Sequence, residues 1–417
     1  MKHDSGELDE RTLIYDWNTV DEEPDRHIVP AELDDETLRD GLQSPSVTDP
    51  PTAQKVELLH LMVDLGIHAA DIGLPGAGPR ALADVIALAK EIATHKLPIE
   101  PNCAARTLKT DIDPIIEASH KAGFAIEASV FIGSSPIREY VENWTLDQML
   151  RHTEEAVTYA MKNGLSVMFV TEDTTRAQPD ALQKLYGTAI RCGARRICVA
   201  DTVGHATPRG TMALIRHIRK VVEGTGEKVK IDWHGHSDRG LSVANSLAAI
   251  EAGADRVHGT GLGVGERCGN APMEQLLVNL RLLGYIDSDL SKLDTYCALV
   301  SEACGAPIPI SQPIVGPDAF RTATGVHAAA VVKAMKKGHS WLANRVYSGV
   351  PAEWVGRKQT IEIGPMSGAS NVIYWLEMNG VEPEDELVQR ILGAAKQQTR
   401  RLTRDEIEAI IGHSMNN

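Results

Sequence analysis

From residue 31 to about residue 285 the chain repeats one pattern eight times: a short apolar run, a polar or glycine-containing turn, then an amphipathic stretch. The apolar runs end near Glu36, Gly73, Cys103, Phe131, Thr171, Asp201, His236 and Gly259, and segments 53–65, 80–94, 147–163 and 209–222 between them have helical spacing. Eight strand-then-helix units in one block predict an α/β fold, the (β/α)8 TIM barrel. A doubly wound open sheet uses fewer strands and often a GxGxxG turn after the first, and the chain has neither feature. Beyond residue 285 the repeat stops. Residues 286–417 read as a linker and a small, mainly helical subdomain, with helices expected over 292–304 and from Thr324 to Lys336, and two or three more before Ile411. Residues 1–30, rich in Asp and Glu, read as a poorly ordered or draped acidic arm.

At 417 residues with a net charge of -15 and no basic block, the chain is a poor partner for nucleic acid or an anionic membrane. No apolar run reaches the roughly 20 residues of a membrane span. The polar start MKHDSGELDERT is unlike a signal peptide, and six cysteines without CxxC pairs suit reduced thiols, so a cytoplasmic location is expected.

A barrel of this kind gathers its chemistry at the C-terminal ends of its strands. Polar residues collect there: Arg39 and Asp40 after the first run, Asp71 after the second, Asn102 at the third, Glu172 and Asp173 at the fifth, Asp201 and Thr202 at the sixth. The seventh run, IDWHGH, delivers His234 and His236, two apart on a strand and so on one face. With Asp40 they make a two-imidazole, one-carboxylate set that leaves part of an octahedral shell open for a chelating substrate, and Asn270 is a fourth candidate contact. Arg39 is placed to stabilise negative charge developing on a substrate oxygen. Local alternatives stand beside these readings. Arg39 and Asp40 also suit a rim ion pair, Asp71 a loop cap, Glu172 and Asp173 helix caps, His205 a loop contact, and Cys268 a small residue in a glycine-rich loop.

Four segments, Glu36 to Pro45 (ETLRDGLQSP), Asp201 to Gly204 (DTVG), His234 to Asp238 (HGHSD) and Val264 to Asn270 (VGERCGN), together resemble one family of metal-dependent barrel enzymes. It includes 2-isopropylmalate, homocitrate and citramalate synthases and 3-hydroxy-3-methylglutaryl-CoA lyase, and the likeness covers about residues 32–370. The resemblance implies a divalent metal (Mg, Mn or Zn) on Asp40, His234, His236 and Asn270, with acetyl-CoA as co-substrate and a 2-oxo acid as acceptor. It implies catalytic roles for Arg39, Glu172, His327 and Tyr347 and substrate contacts from Arg39, Gln43, Asp71, Thr202 and His205. The segment Thr324-Gly325-Val326-His327 with Tyr347 is similar to the synthases' post-barrel arm, absent from the lyase. That implies a synthase of the 2-isopropylmalate or citramalate type, a His–Tyr hydrogen-bonded relay, and a homodimer in which the arm reaches the partner. A lyase is the alternative, because Leu42 stands where most synthases have Glu. The chain departs also at Ser237, Thr322-Ala323 and Asp71, where synthases usually have Asn, His-Glu and Glu. Met168 and Val170 replace the Arg and Ser of homocitrate synthases, which disfavours 2-oxoglutarate.

Overall fold

The computed structural model describes residues 10–20, 28–338 and 340–415; of the predicted arm, residues 1–9 and 21–27 lie outside the described residues. Eight parallel strands close into a barrel in chain order: β1 Glu32–Asp35, β2 Ala69–Asp71, β3 Glu100–Arg106, β4 Glu127–Gly133, β5 Val167–Glu172, β6 Arg196–Asp201, β7 Lys230–Gly235 and β8 Arg256–Gly259. The ring closes between β1 and β8, where Asp34 pairs with His258 and Asp35 with Gly259. Helices α1 Thr52–Asp64, α2 Pro79–His95, α3 Lys109–Ala122, α4 Leu146–Lys162, α5 Pro179–Arg191, α6 Pro208–Glu223, α7 Ser242–Glu251 and α8 Met273–Leu282 follow the strands.

The helix starts have local causes. Thr145 opens α4 with a reciprocal cap: its hydroxyl accepts the Gln148 amide while Gln148 Oε1 accepts the Thr145 amide. Thr207 caps α6, and Pro179 and Pro208 occupy first-turn positions where no amide hydrogen is needed. Each helix turns an apolar stripe inward, with Leu58, Leu59 and Met62 on α1, Val85 and Leu88 on α2, and Ile215 and Ile218 on α6 all buried.

Strand alternation divides the charges. Along β1, Leu33 and Asp35 face the helix layer, whereas Asp34 points inside and accepts from Asn102 Nδ2 at 2.9 Å. The barrel interior is therefore ionic at its centre. Asp232 accepts from Arg196 at 2.8 Å and from Arg256 at 2.6 Å, and all three are buried. Such charges are tolerated in low dielectric only because each is paired and hydrogen-bonded.

The compact unit that holds the barrel spans Pro30–Pro309, so it extends past the expected limit at residue 285. The reason is α9, Leu293–Cys304, which packs against α1 and sends the Tyr296 hydroxyl to Asp35 at 2.5 Å. The other unit takes in the chain from Ile310 and the described N-terminal residues. In it, α10 Gly325–Lys336 packs against α11 Ala369–Met378, followed by α12 Asp385–Lys396 and α13 Arg404–Met415. Val372, Leu376, Leu387, Ile391, Leu402 and Ile407 form its core. Two-residue parallel strands at Arg321–Thr322 and Thr360–Ile361 tie its loops. No helix among the described residues is long and apolar enough to cross a membrane.

Candidate active site and metal centre

At the C-terminal mouth of the barrel lies a cavity of about 250 Å³. Strand β7 brings His234 to it, and His236 follows directly, held by a backbone bridge to Asn270. Asp40 ends the turn that leaves β1. Its Oδ2 lies 3.5 Å from His234 Nε2 and 3.4 Å from His236 Nε2, so the three donors converge. Asp40 Oδ2 and Asn270 Oδ1 are buried without any hydrogen-bond partner, which would cost about 1–3 kcal/mol each if nothing filled the place. Burial, with His234 adding, depresses His236 to about 4, so its imidazole is neutral as a metal ligand must be. A carboxylate oxygen and two imidazole nitrogens converge as a donor set that fits Mg, Mn or Zn, and the unpartnered amide oxygen of Asn270 is a fourth candidate.

The loop after β8 is shaped by backbone freedom. Gly269 has φ +81°, and a Cβ there would sit 1.8 Å from the Gly263 carbonyl oxygen. A Cβ on Gly265 would fall 2.3 Å from Asn270 Nδ2. Arg267 pins the same loop to the neighbouring β6 and β7 turns, donating to Asp238 at 2.9 Å and to the Thr202 carbonyl.

Arg39 is gripped by three carboxylates. It donates from Nε to Asp71 at 2.8 Å and from Nη2 to Glu36, and its Nη1 lies 3.4 Å from Asp40. Burial pushes the Asp71 carboxyl up to about 7, with Arg39 opposing and Glu36 and Asp34 adding. Burial alone would raise Glu36 too, but Arg39, His234 and His258 together hold it well below the usual carboxylate range. His258 has the opposite balance: burial disfavours its charge, yet Glu36 and Asp232 on either side raise it to about 10.

Gln43, Asp71, Glu172 and Thr202 line the cavity alongside Arg39. Burial raises the Glu172 carboxyl, opposed by Arg138 at 3.4 Å. The Thr202 hydroxyl accepts the Asp173 amide. His205 is not among the lining residues: it is exposed, and its amide is taken by Asp201, whose carboxylate caps that turn instead of facing the cavity. Asn102 is likewise no strand-end residue, because β3 runs on to Arg106 and Asn102 bonds Asp34 and Ser129 inside the barrel. His327 and Tyr347 belong to the C-terminal unit, where their rings stack with centroids 4.3 Å apart. Both are exposed and no hydrogen bond joins them, so the expected His–Tyr hydrogen bond is replaced by a stack. Cys268 is exposed, and all six cysteines are free thiols.

Glu36 and His258, both in the cavity wall, are not among the site residues that the sequence predicts. The signal was there in the charged alternation of three adjacent strands, Asp34/Glu36, Asp232/His234 and Arg256/His258, each pair two residues apart.

Residues 31–300 match the model of the HMGL-like family. Homocitrate synthase AksA of Methanopyrus kandleri is 34% identical over 385 residues, covering 90% of each chain. The 2-isopropylmalate synthase of Sulfurisphaera tokodaii is 34% identical over 365 residues, 87% of this chain and 89% of that one. Among solved structures, HMG-CoA lyase of Brucella melitensis superposes with a TM-score of 0.54 at 19% identity, over 66% of this chain and 98% of the lyase, a likeness of fold.

Proposed function

Because the chain belongs to the HMGL-like family, we propose that it condenses the acetyl group of acetyl-CoA with a 2-oxo acid, releasing CoA and an alkylmalate-type 2-hydroxy acid. The observation that carries this reading is the convergence of Asp40, His234 and His236 beside Arg39 in a cavity that also presents an apolar face of Leu74, Ala104, Phe131, Met168, Val170 and Ala200. Asp40, His234 and His236, with Asn270, would hold a divalent ion, and such an ion supplies Lewis-acid polarisation of a chelating 2-oxo acid.

The chain's own groups do the rest. Glu172, its carboxyl raised by burial, takes a proton from the acetyl methyl group. The methyl carbon then bonds to the oxo carbon, the Arg39 guanidinium stabilises the charge gathering on the oxo oxygen, and the proton held by Glu172 returns to that oxygen to give the hydroxyl. Gln43, Asp71 and Thr202 orient the substrate from the rim. Water then cleaves the thioester C–S bond, leaving a carboxylate and the CoA thiol. His327 and Tyr347, exposed and stacked, serve proton transfer at the active site of a second copy in a homodimer.

Leu74, Ala104, Phe131, Met168, Val170 and Ala200 line the cavity, whose two guanidinium groups, Arg39 and Arg267, are already paired with carboxylates. An acceptor with an apolar side chain, 2-oxoisovalerate or pyruvate, suits this wall better than one with a second carboxylate. The test is CoA release from acetyl-CoA, read by mass spectrometry with Mg or Mn, over 2-oxoisovalerate, pyruvate, oxaloacetate, 2-oxoglutarate and glyoxylate. We expect release to be strongest with 2-oxoisovalerate, to stop on chelation, and to fall at least about 10³-fold in Asp40→Asn. Silence across the panel would overturn the reading. Acetyl-CoA formation from a 3-hydroxyacyl-CoA would establish a lyase instead, the reading that Leu42 favours.

A further inference from the structure

We propose that Glu36 is a positioning residue that ties the His234 ligand and the Arg39 guanidinium to one rigid post, and that His258 beneath it sets where that post stands. The inference rests on the metal reading above, and it gives a role to Glu36, the first residue of the ETLRDGLQSP segment.

Glu36 is buried at the end of β1 and uses both carboxylate oxygens. One receives Arg39 Nη2. The other lies 2.6 Å from His258 Nδ1 and 3.3 Å from His234 Nδ1. His258 is held from its far side, its Nε2 2.9 Å from Asp232, and Asp232 is fixed by Arg196 and Arg256. An unbroken series of contacts thus runs from the ionic centre of the barrel to the His234 ligand and the Arg39 guanidinium. With its proton on Nδ1, the nitrogen that faces Glu36, His234 presents Nε2, on the Asp40 side, as the free lone pair a metal needs. The same carboxylate aims Arg39, so metal and guanidinium hold a constant separation. A glutamine here would keep the shape but could not accept from Arg39, His234 and His258 together, because one of its two ends is a donor.

The test is Mn²⁺ binding, followed by loss of the free-ion electron paramagnetic resonance signal, in wild type, Glu36→Gln, His258→Gln, the double variant and the remote buried control Ser119→Ala. We expect Glu36→Gln to raise the Mn²⁺ Kd about 10- to 100-fold. His258→Gln should shift it the same way by less, and the double variant should bind no more weakly than Glu36→Gln, since the two act in series. Ser119→Ala should bind as wild type does. In turnover, Glu36→Gln should lower kcat and leave the KM for acetyl-CoA unchanged. A folded Glu36→Gln with a Kd within about twofold of wild type would overturn the proposal. Should Glu36→Gln fail to fold, His258→Gln decides by the same criterion. No Mn²⁺ uptake by wild type would overturn this inference together with the metal reading. The expected Kd shift without CoA release on any 2-oxo acid would support it and overturn the condensation alone.

Discussion

Asp34, Asp35 and Glu36 are consecutive acids with three different fates, and strand alternation accounts for each. Asp34 enters the ionic centre and Glu36 the cavity wall, while Asp35 points outward to receive the Tyr296 hydroxyl. Burial raises Asp35 to about 6, against the pull of the Thr37 and Tyr296 hydrogen bonds. A carboxyl whose folded pKa lies above its unfolded value of 3.8 contributes stability that is full below 3.8 and lost as pH rises through about 6. Asp35→Asn removes that loss. Its unfolding free energy relative to wild type should therefore rise between pH 4 and pH 7 by on the order of 3 kcal/mol, two pKa units' worth. Denaturant titrations at both pH values check this, and a pH-independent difference would refute it.

The loop between β8 and α8 is the element that brings the site together. It runs back across the mouth, bridges His236 through Asn270 and is pinned by Arg267 to the turns after β6 and β7. Its path depends on Gly269, whose left-handed φ and missing Cβ let the strap pass against the Gly263 carbonyl. Gly269→Ala should cost about 2 kcal/mol or more through strain and clash combined. Because Asn270 is the next residue, Mn²⁺ affinity should drop as well. A lower melting temperature with unchanged Mn²⁺ affinity would mean that the strap does not set the position of Asn270.

At the scale of the whole molecule, the proposed homodimer makes a distinct prediction. If His327 serves the partner's site, mixing inactive Asp40→Asn and His327→Ala proteins under subunit exchange restores one intact site in each mixed dimer. About a quarter of wild-type turnover should return, because half the dimers are mixed and one site in two is whole. No recovery, with exchange verified by native mass spectrometry, would place His327 in service of its own chain.

The eight-fold strand and helix periodicity determined the barrel, because apolar runs and amphipathic stretches are local properties of the chain. The His234–His236 spacing likewise determined that two imidazoles share a face, and the polar ends of the runs marked which mouth carries the cavity. What only the tertiary structure decided depends on which side of a strand a neighbour presents and where a strand stops. Three further residues of β3 put Asn102 inside the barrel, and a cap from Asp201 holds the turn that leaves His205 exposed. Closure of β1 onto β8 brought Glu36 against His258, 222 residues apart in the chain. That contact is set by strand register, and register comes from packing the whole ring rather than from any local run of residues.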